Sequence, residues 1–175
     1  MRDRKLNLKS VVQSRAEAAG QMELAGDAVL IERGRPRWLL MLCPCGCKEE
    51  IPINLDARAG PAWRFYRGEK FGVTVYPSVW RDTGCGSHFI IWRNKINLFG
   101  SDQEEGRLSP RTTEFTVLSQ AVREKWPTSG SISFVDVADT IGEIPWDVLD
   151  ACRYLVRVGF LLEGLGKQQG MFRRA

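Results

Sequence analysis

The chain has 175 residues, 43% hydrophobic and 26% charged, the composition of an ordinary folded protein with room for one generous domain or two small ones, and it excludes the biased compositions of fibrous or disordered chains. Its net charge of +4 lies in residues 1–108, with 17 basic against 13 acidic side chains, while residues 109–175 hold eight of each; a neutral second half argues against a dedicated DNA reader, whose affinity comes largely from neutralising phosphates. The densest apolar run, residues 38–43, is too short to span a bilayer, and the charged start Met1-Arg2-Asp3-Arg4-Lys5 lacks the pattern of a secretory signal, so a cytoplasmic protein without membrane contact is expected. In a reducing compartment its five cysteines read as thiols or metal ligands before disulfides.

Residues 5–25 place Val11, Val12, Ala16, Ala18, Ala19, Met22 and Leu24 in a loose amphipathic pattern that Gly20 interrupts, which predicts a short helix in an N-terminal extension over 1–27. A domain over 28–100 follows. Apolar runs at 29–31 and 38–42 around Gly34-Arg35-Pro36 predict a hairpin, and its second strand leads straight into Cys43-Pro44-Cys45-Gly46-Cys47. Residues 51–55 alternate apart from Pro52 and suit an edge strand. Two further hairpins are expected, 63–67 with 71–76 and 89–92 with 95–99, giving roughly six short strands in one sheet or small barrel.

Acidic, aperiodic residues 101–108 read as a linker, and beyond them the period changes to that of helices. Helices are predicted over 114–126 with Pro127 as the stop, over 135–141 closed by Gly142, and from Pro145 to about 158; short strands are predicted at 131–134 and on both sides of the glycine-rich turn at 164–170. That order, and the spacing of Val137, Ala138, Ile141, Gly142, Ile144, Leu155, Gly159 and Leu161, resembles the winged-helix superfamily. The fold expected is therefore α+β, a zinc-pinned small β-domain followed by a winged-helix domain over 109–175. The second of its long helices is expected to expose Trp146, Asp147 and Asp150, carboxylates that would repel phosphate, so docking on protein is preferred to docking on DNA.

Four of the five cysteines and the single histidine fall in two short segments, the CPCGC run and Cys85-Gly86-Ser87-His88. Thiolate and imidazole are the donors Zn²⁺ prefers, so Cys43, Cys45, Cys47, Cys85 and His88 are the candidate metal ligands and structural zinc the expected cofactor. Two ligand sets remain open: Cys43, Cys45 or Cys47, Cys85 and His88, or the four cysteines with His88 left over. The tightness of three ligands within five residues favours the first. Both are closed sets without the open position of a catalytic zinc. Ser78, after Pro77 at a strand end, stands ten positions before His88 with Asp82 between them; a hydroxyl and an imidazole brought within reach would make a nucleophile and its base, whereas Ser78 otherwise simply turns the chain.

Residues 38–47 (WLLMLCPCGC), 73–79 (VTVYPSV) and 85–89 (CGSHF) resemble a bacterial metal-binding domain family, over roughly residues 25–100. Members of that family are often encoded beside ubiquitin-like proteins and their E1-like and E2-like conjugating enzymes. The resemblance implies a zinc-binding component of a ubiquitin-like conjugation pathway, with the ubiquitin-like protein or its conjugating enzymes as partners, and it implies a Ser/His peptidase of Ser78 and His88 that processes or removes the modifier. The matching positions are Cys43, Cys45, Cys47, Ser78, Cys85, Ser87 and His88; the C-terminal segment is not associated with the family. The alternative is a non-enzymatic zinc and winged-helix module that binds DNA or a protein partner.

Overall fold

The computed structural model describes residues 4–99 and 113–175, which divide between two compact units, Met1–Gln103 and Glu104–Ala175. The predicted linker over 101–108 lies outside the described residues. Among the described residues no helix is long and apolar enough to cross a membrane.

The first unit is built from two four-stranded sheets rather than the one sheet or barrel expected. In the first sheet, β1 (Asn7–Val12), β2 (Asp27–Glu32), β3 (Pro36–Leu42) and β4 (Glu50–Asn54) lie side by side in that order. In the second, β5 (Arg64–Tyr66), β6 (Thr74–Trp80), β7 (His88–Trp92) and β8 (Lys95–Leu98) do the same. The hairpin expected around Gly34-Arg35-Pro36 is β2 and β3, and Pro52 sits, as anticipated, on the edge strand β4 opposite Leu40. The turn between β7 and β8 is Arg93-Asn94, both with positive φ (50° and 63°), the backbone a two-residue hairpin requires.

Alternation along the strands explains why the two sheets share a core. Leu30, Leu39, Met41 and Ile53 of the first sheet and Val75, Val79, Phe89 and Ile91 of the second form one buried cluster, closed by Leu6 and Ile96. Strand β2 is buried on its other side as well, where Val29 and Ile31 pack with Ala18, Leu40, Met22 and Trp38. Burial on both faces is what a continuous apolar run such as residues 28–31 demands.

The N-terminal residues differ from expectation. Instead of an extension with one helix, Asn7–Val12 forms β1, which pairs in parallel with β2 and joins it through a single helical turn, α1 (Arg15–Ala18). Asp27 explains why the strand pairing wins over helix: its buried carboxylate accepts hydrogen bonds from Asn7 Nδ2 (2.9 Å) and from the backbone N–H groups of Glu23 (3.0 Å) and Leu24 (3.1 Å). It thus ties the start of β1, the loop and the start of β2 together.

The second unit runs α2 (Thr113–Lys125), β9 (Ile132–Ser133), α3 (Phe134–Ile141), α4 (Pro145–Arg157), β10 (Leu161–Glu163) and β11 (Met171–Arg174), with the three strands in one antiparallel sheet in the order β10, β11, β9. Ser133 caps α3 by accepting from Val135 N–H at 3.1 Å, Gly142 ends it in the left-handed conformation (φ 69°), and Pro145 opens α4. Trp126 and Phe172 meet edge to face at 6.1 Å in its core. Asp147 and Asp150, expected on an exposed face of α4, are instead buried, because Asp147, Val148, Asp150, Ala151 and Cys152 turn inward together. Cys152 is fully buried, and burial pushes its thiol up to about 12, the behaviour of a small hydrophobe.

Candidate active site and cysteine centre

Strand β3 delivers Cys43 into the core with no exposed surface. The chain then reverses: Gly46 N–H donates to Cys43 O (3.1 Å), and Cys43 N–H donates to Glu49 O (2.8 Å) as the chain returns toward β4. Gly46 holds φ at 97°, in the left-handed region that a side chain rarely enters, and this lets three cysteines within five residues turn toward one point. Cys47 N–H donates to Cys45 Sγ at 3.4 Å. Cys85 comes from the loop between β6 and β7.

The Sγ atoms of Cys43, Cys45, Cys47 and Cys85 all lie within 4.8 Å of one another, with Cys43 3.2 Å from Cys45 and 3.6 Å from Cys85. Four thiolates around a tetrahedral ion at a metal–sulfur distance of about 2.3 Å stand about 3.8 Å apart. The separations bracket that value and the donors are soft, so the four cysteines can hold a metal ion. Ser87 backs them, its Oγ 3.0 Å from Cys85 Sγ and 3.4 Å from Cys43 Sγ. The Ser87 hydroxyl and backbone N–H hold the Cys85 thiol down at about 6, which favours the thiolate a metal needs, while burial pushes the Cys43 thiol up.

His88 is not in this group. Its Nε2 lies 3.0 Å from Ser78 Oγ. The donor atoms gathered at one point are thus the four sulfurs and not the mixed Cys/His set preferred from the sequence, and the turn at Gly46 is what brings Cys47 into the group. Strand β6 explains how Ser78 reaches His88. Val75 pairs with Ile91 and Val79 with Phe89, so Tyr76, Pro77 and Ser78 bulge opposite Ile90 alone. Bulges of this kind re-aim a side chain out of the ladder. The Tyr76–Pro77 peptide is cis. Trp63 braces the bulge by donating from Nε1 to Ser78 O (3.2 Å), and its own N–H donates to Asn54 O at the end of β4 (2.9 Å).

The imidazole of His88 is fixed by aromatic rings. Phe99 stacks on it at 4.1 Å and Trp80 stands 6.0 Å away. Asp82, between Ser78 and His88 in sequence, is exposed. The residues that sequence reasoning missed are Trp63, Trp80 and Phe99. Only Trp80 carried a signal, since it is two positions after Ser78 and a strand places such residues on one face. The basic run at 33–37 is internally matched: Arg35 and Arg37 pair with the buried Asp56, and Arg33 donates to Gln13 O.

Residues 14–99 match the family model of the bacterial ubiquitination-like system serine protease (BubE). That stretch contains the cysteine group and the Ser78–His88 pair, and it coincides with the residues whose motifs resemble a metal-binding family of ubiquitin-like systems. No curated protein and no solved structure matches the chain.

Proposed function

Taking the similarity of residues 14–99 to bacterial ubiquitination-like system serine proteases as premise, we propose that the first unit is a serine peptidase that cleaves at a ubiquitin-like modifier, with Ser78 as nucleophile and His88 as base. The observation that carries it is the 3.0 Å approach of His88 Nε2 to Ser78 Oγ. In the reaction Ser78 Oγ attacks the scissile carbonyl while Nε2 takes its proton; the C–N bond breaks as His88 returns that proton to the leaving amine. Water then enters, loses a proton to His88, and splits the acyl ester to free the acid and Ser78. The stacking of Phe99 on the imidazole supplies the orientation that a third group gives elsewhere.

Zinc held by Cys43, Cys45, Cys47 and Cys85 would act here as a closed structural ion. Its role is to pin the loop from Cys85 to His88 against the end of β3. The order of elements in the second unit supports a winged helix, and its neutral charge supports docking on protein, the modifier or its conjugating enzymes. That none of the five cysteines is in a disulfide suits a reducing cytoplasm.

The test is a ubiquitin-like protein fused through its C-terminal tail to a reporter domain. The parent protein is expected to release the reporter, and Ser78→Ala to abolish release with metal content and folding unchanged. Unchanged release by Ser78→Ala, or none by the parent, refutes the peptidase and leaves a non-enzymatic docking module.

A further inference from the structure

Beside Ser78 the sheet has an open side. Strand β5 pairs with β6 only from Thr74 to Tyr76, so beyond the bulge no strand covers β6 on that side among the described residues. The backbone direction there follows from the ladder with β7. Arg81 N–H donates to Ser87 O (2.9 Å), while His88 O is taken by Phe99 N–H (2.8 Å) on the far side of β7. Directly opposed residues in an antiparallel pair alternate between bonded and non-bonded. Trp80 and His88, which face each other, are thus the non-bonded pair, and the N–H and C=O of Trp80 point away from β7 into the open side.

The same alternation sorts the side chains. Val79 and Phe89 point into the core, at 3% and 0% exposure, so Ser78, Trp80 and His88 share the outer face. On that face Trp80 is 71% exposed and Phe99 is 53% exposed, two large apolar surfaces flanking the His88 ring. Trp63 Nε1 already occupies Ser78 O, which leaves the amide and carbonyl of Trp80 as the next backbone groups along the edge.

We propose that the substrate segment around the scissile bond binds as an added strand on this edge, its backbone hydrogen-bonded to Trp80, with an alternate side chain of apolar character lying against Trp80 and Phe99. This rests on the peptidase reading above and adds to it the substrate class: an extended, unfolded peptide tail rather than a folded surface. Strand addition matches the place, because the main chain supplies affinity while alternate side chains enter pockets, and because an extended peptide leaves its carbonyl open to attack by a neighbouring hydroxyl.

A mixed-sequence octapeptide library is digested with the full chain, and the best-cleaved peptide is remade with a single backbone N-methyl at each position in turn. An added strand on Trp80 predicts that methylation at one position near the scissile bond, the residue whose N–H donates to the Trp80 carbonyl, lowers kcat/KM about tenfold, the worth of one hydrogen bond, with the positions on either side of it nearly unaffected. Trp80→Ala is expected to flatten the apolar preference in the library. Fluorophosphonate labelling of Ser78, followed in parallel, separates the two failures. Labelling with a flat methylation profile overturns the added strand alone; absence of labelling overturns the Ser78–His88 pair and the strand with it.

Discussion

Cys85 and His88 are three residues apart and serve different constellations. Cys85 Sγ belongs to the four-sulfur group, while His88 Nε2 lies 3.0 Å from Ser78 Oγ. Ser87, the residue before His88, has its hydroxyl on two of the sulfurs, so the backbone that carries the histidine is held directly to the cysteine group.

His88→Ala separates base from ligand. It is expected to lower cleavage by about a thousandfold or more, the loss seen when a serine nucleophile is deprived of its base, while bound metal stays at the parent level. Metal analysis by plasma mass spectrometry alongside cleavage rates checks it. Loss of the ion in this variant would put His88 back among the ligands.

Removal of the ion should unfold the first unit, because a structural site of this type contributes on the order of 10 kcal/mol of binding free energy at neutral pH. Cys43→Ser and exhaustive chelation are both expected to lower its melting temperature sharply and to end cleavage. Cobalt substitution, read by absorption, should give the spectrum of four thiolates rather than three thiolates and an imidazole.

Ser87→Ala leaves all four sulfurs in place but removes the hydroxyl beside Cys85 and Cys43. Metal affinity is expected to fall about tenfold, as it does when the hydrogen-bond partner of a ligand is lost. Competition with a chromophoric chelator measures this, and unchanged affinity would show that the hydroxyl plays no part in holding the site.

Much of the site was legible because its chemistry is concentrated in rare residue types. Cysteines 43, 45, 47 and 85 declared a group able to hold a metal ion, and the β7–β8 turn at Arg93-Asn94 followed from alternation and turn chemistry. Which donors gather was not legible, since it depends on whether the turn at Gly46 lets Cys47 reach the group, a matter of backbone dihedrals that spacing does not encode. The bulge at residues 76–78 was equally hidden: a period-2 reading of VTVYPSVW does not reveal that three residues face one. Strand β1 was missed because its partner β2 is set by long-range pairing and by Asp27, while its local pattern also fits a helix. The inward turn of Asp147 and Asp150 runs against the expectation that carboxylates face water.

Asp27 makes a stability prediction with a defined sign. Burial pushes its carboxyl up, but the N–H groups of Glu23 and Leu24 and the Asn7 amide outweigh it and hold it below its ordinary value of 3.8. The stabilisation is therefore full above that value and is lost as the pH falls through the lower folded-state value. Asp27→Ala, which strands those donors, should cost about 2 kcal/mol near neutral pH. In thermal melts the gap between parent and variant should narrow as the pH drops below about 4; a gap independent of pH would mean that the charge of Asp27 is not what binds β1 to β2.

The central claim, that His88 activates Ser78, is tested most directly by locating a fluorophosphonate adduct by peptide mass spectrometry in the metal-loaded protein. The account predicts one adduct, on Ser78, formed by the parent and not by His88→Ala. An adduct on another residue, or equal labelling of Ser78 when His88 is gone, would contradict it.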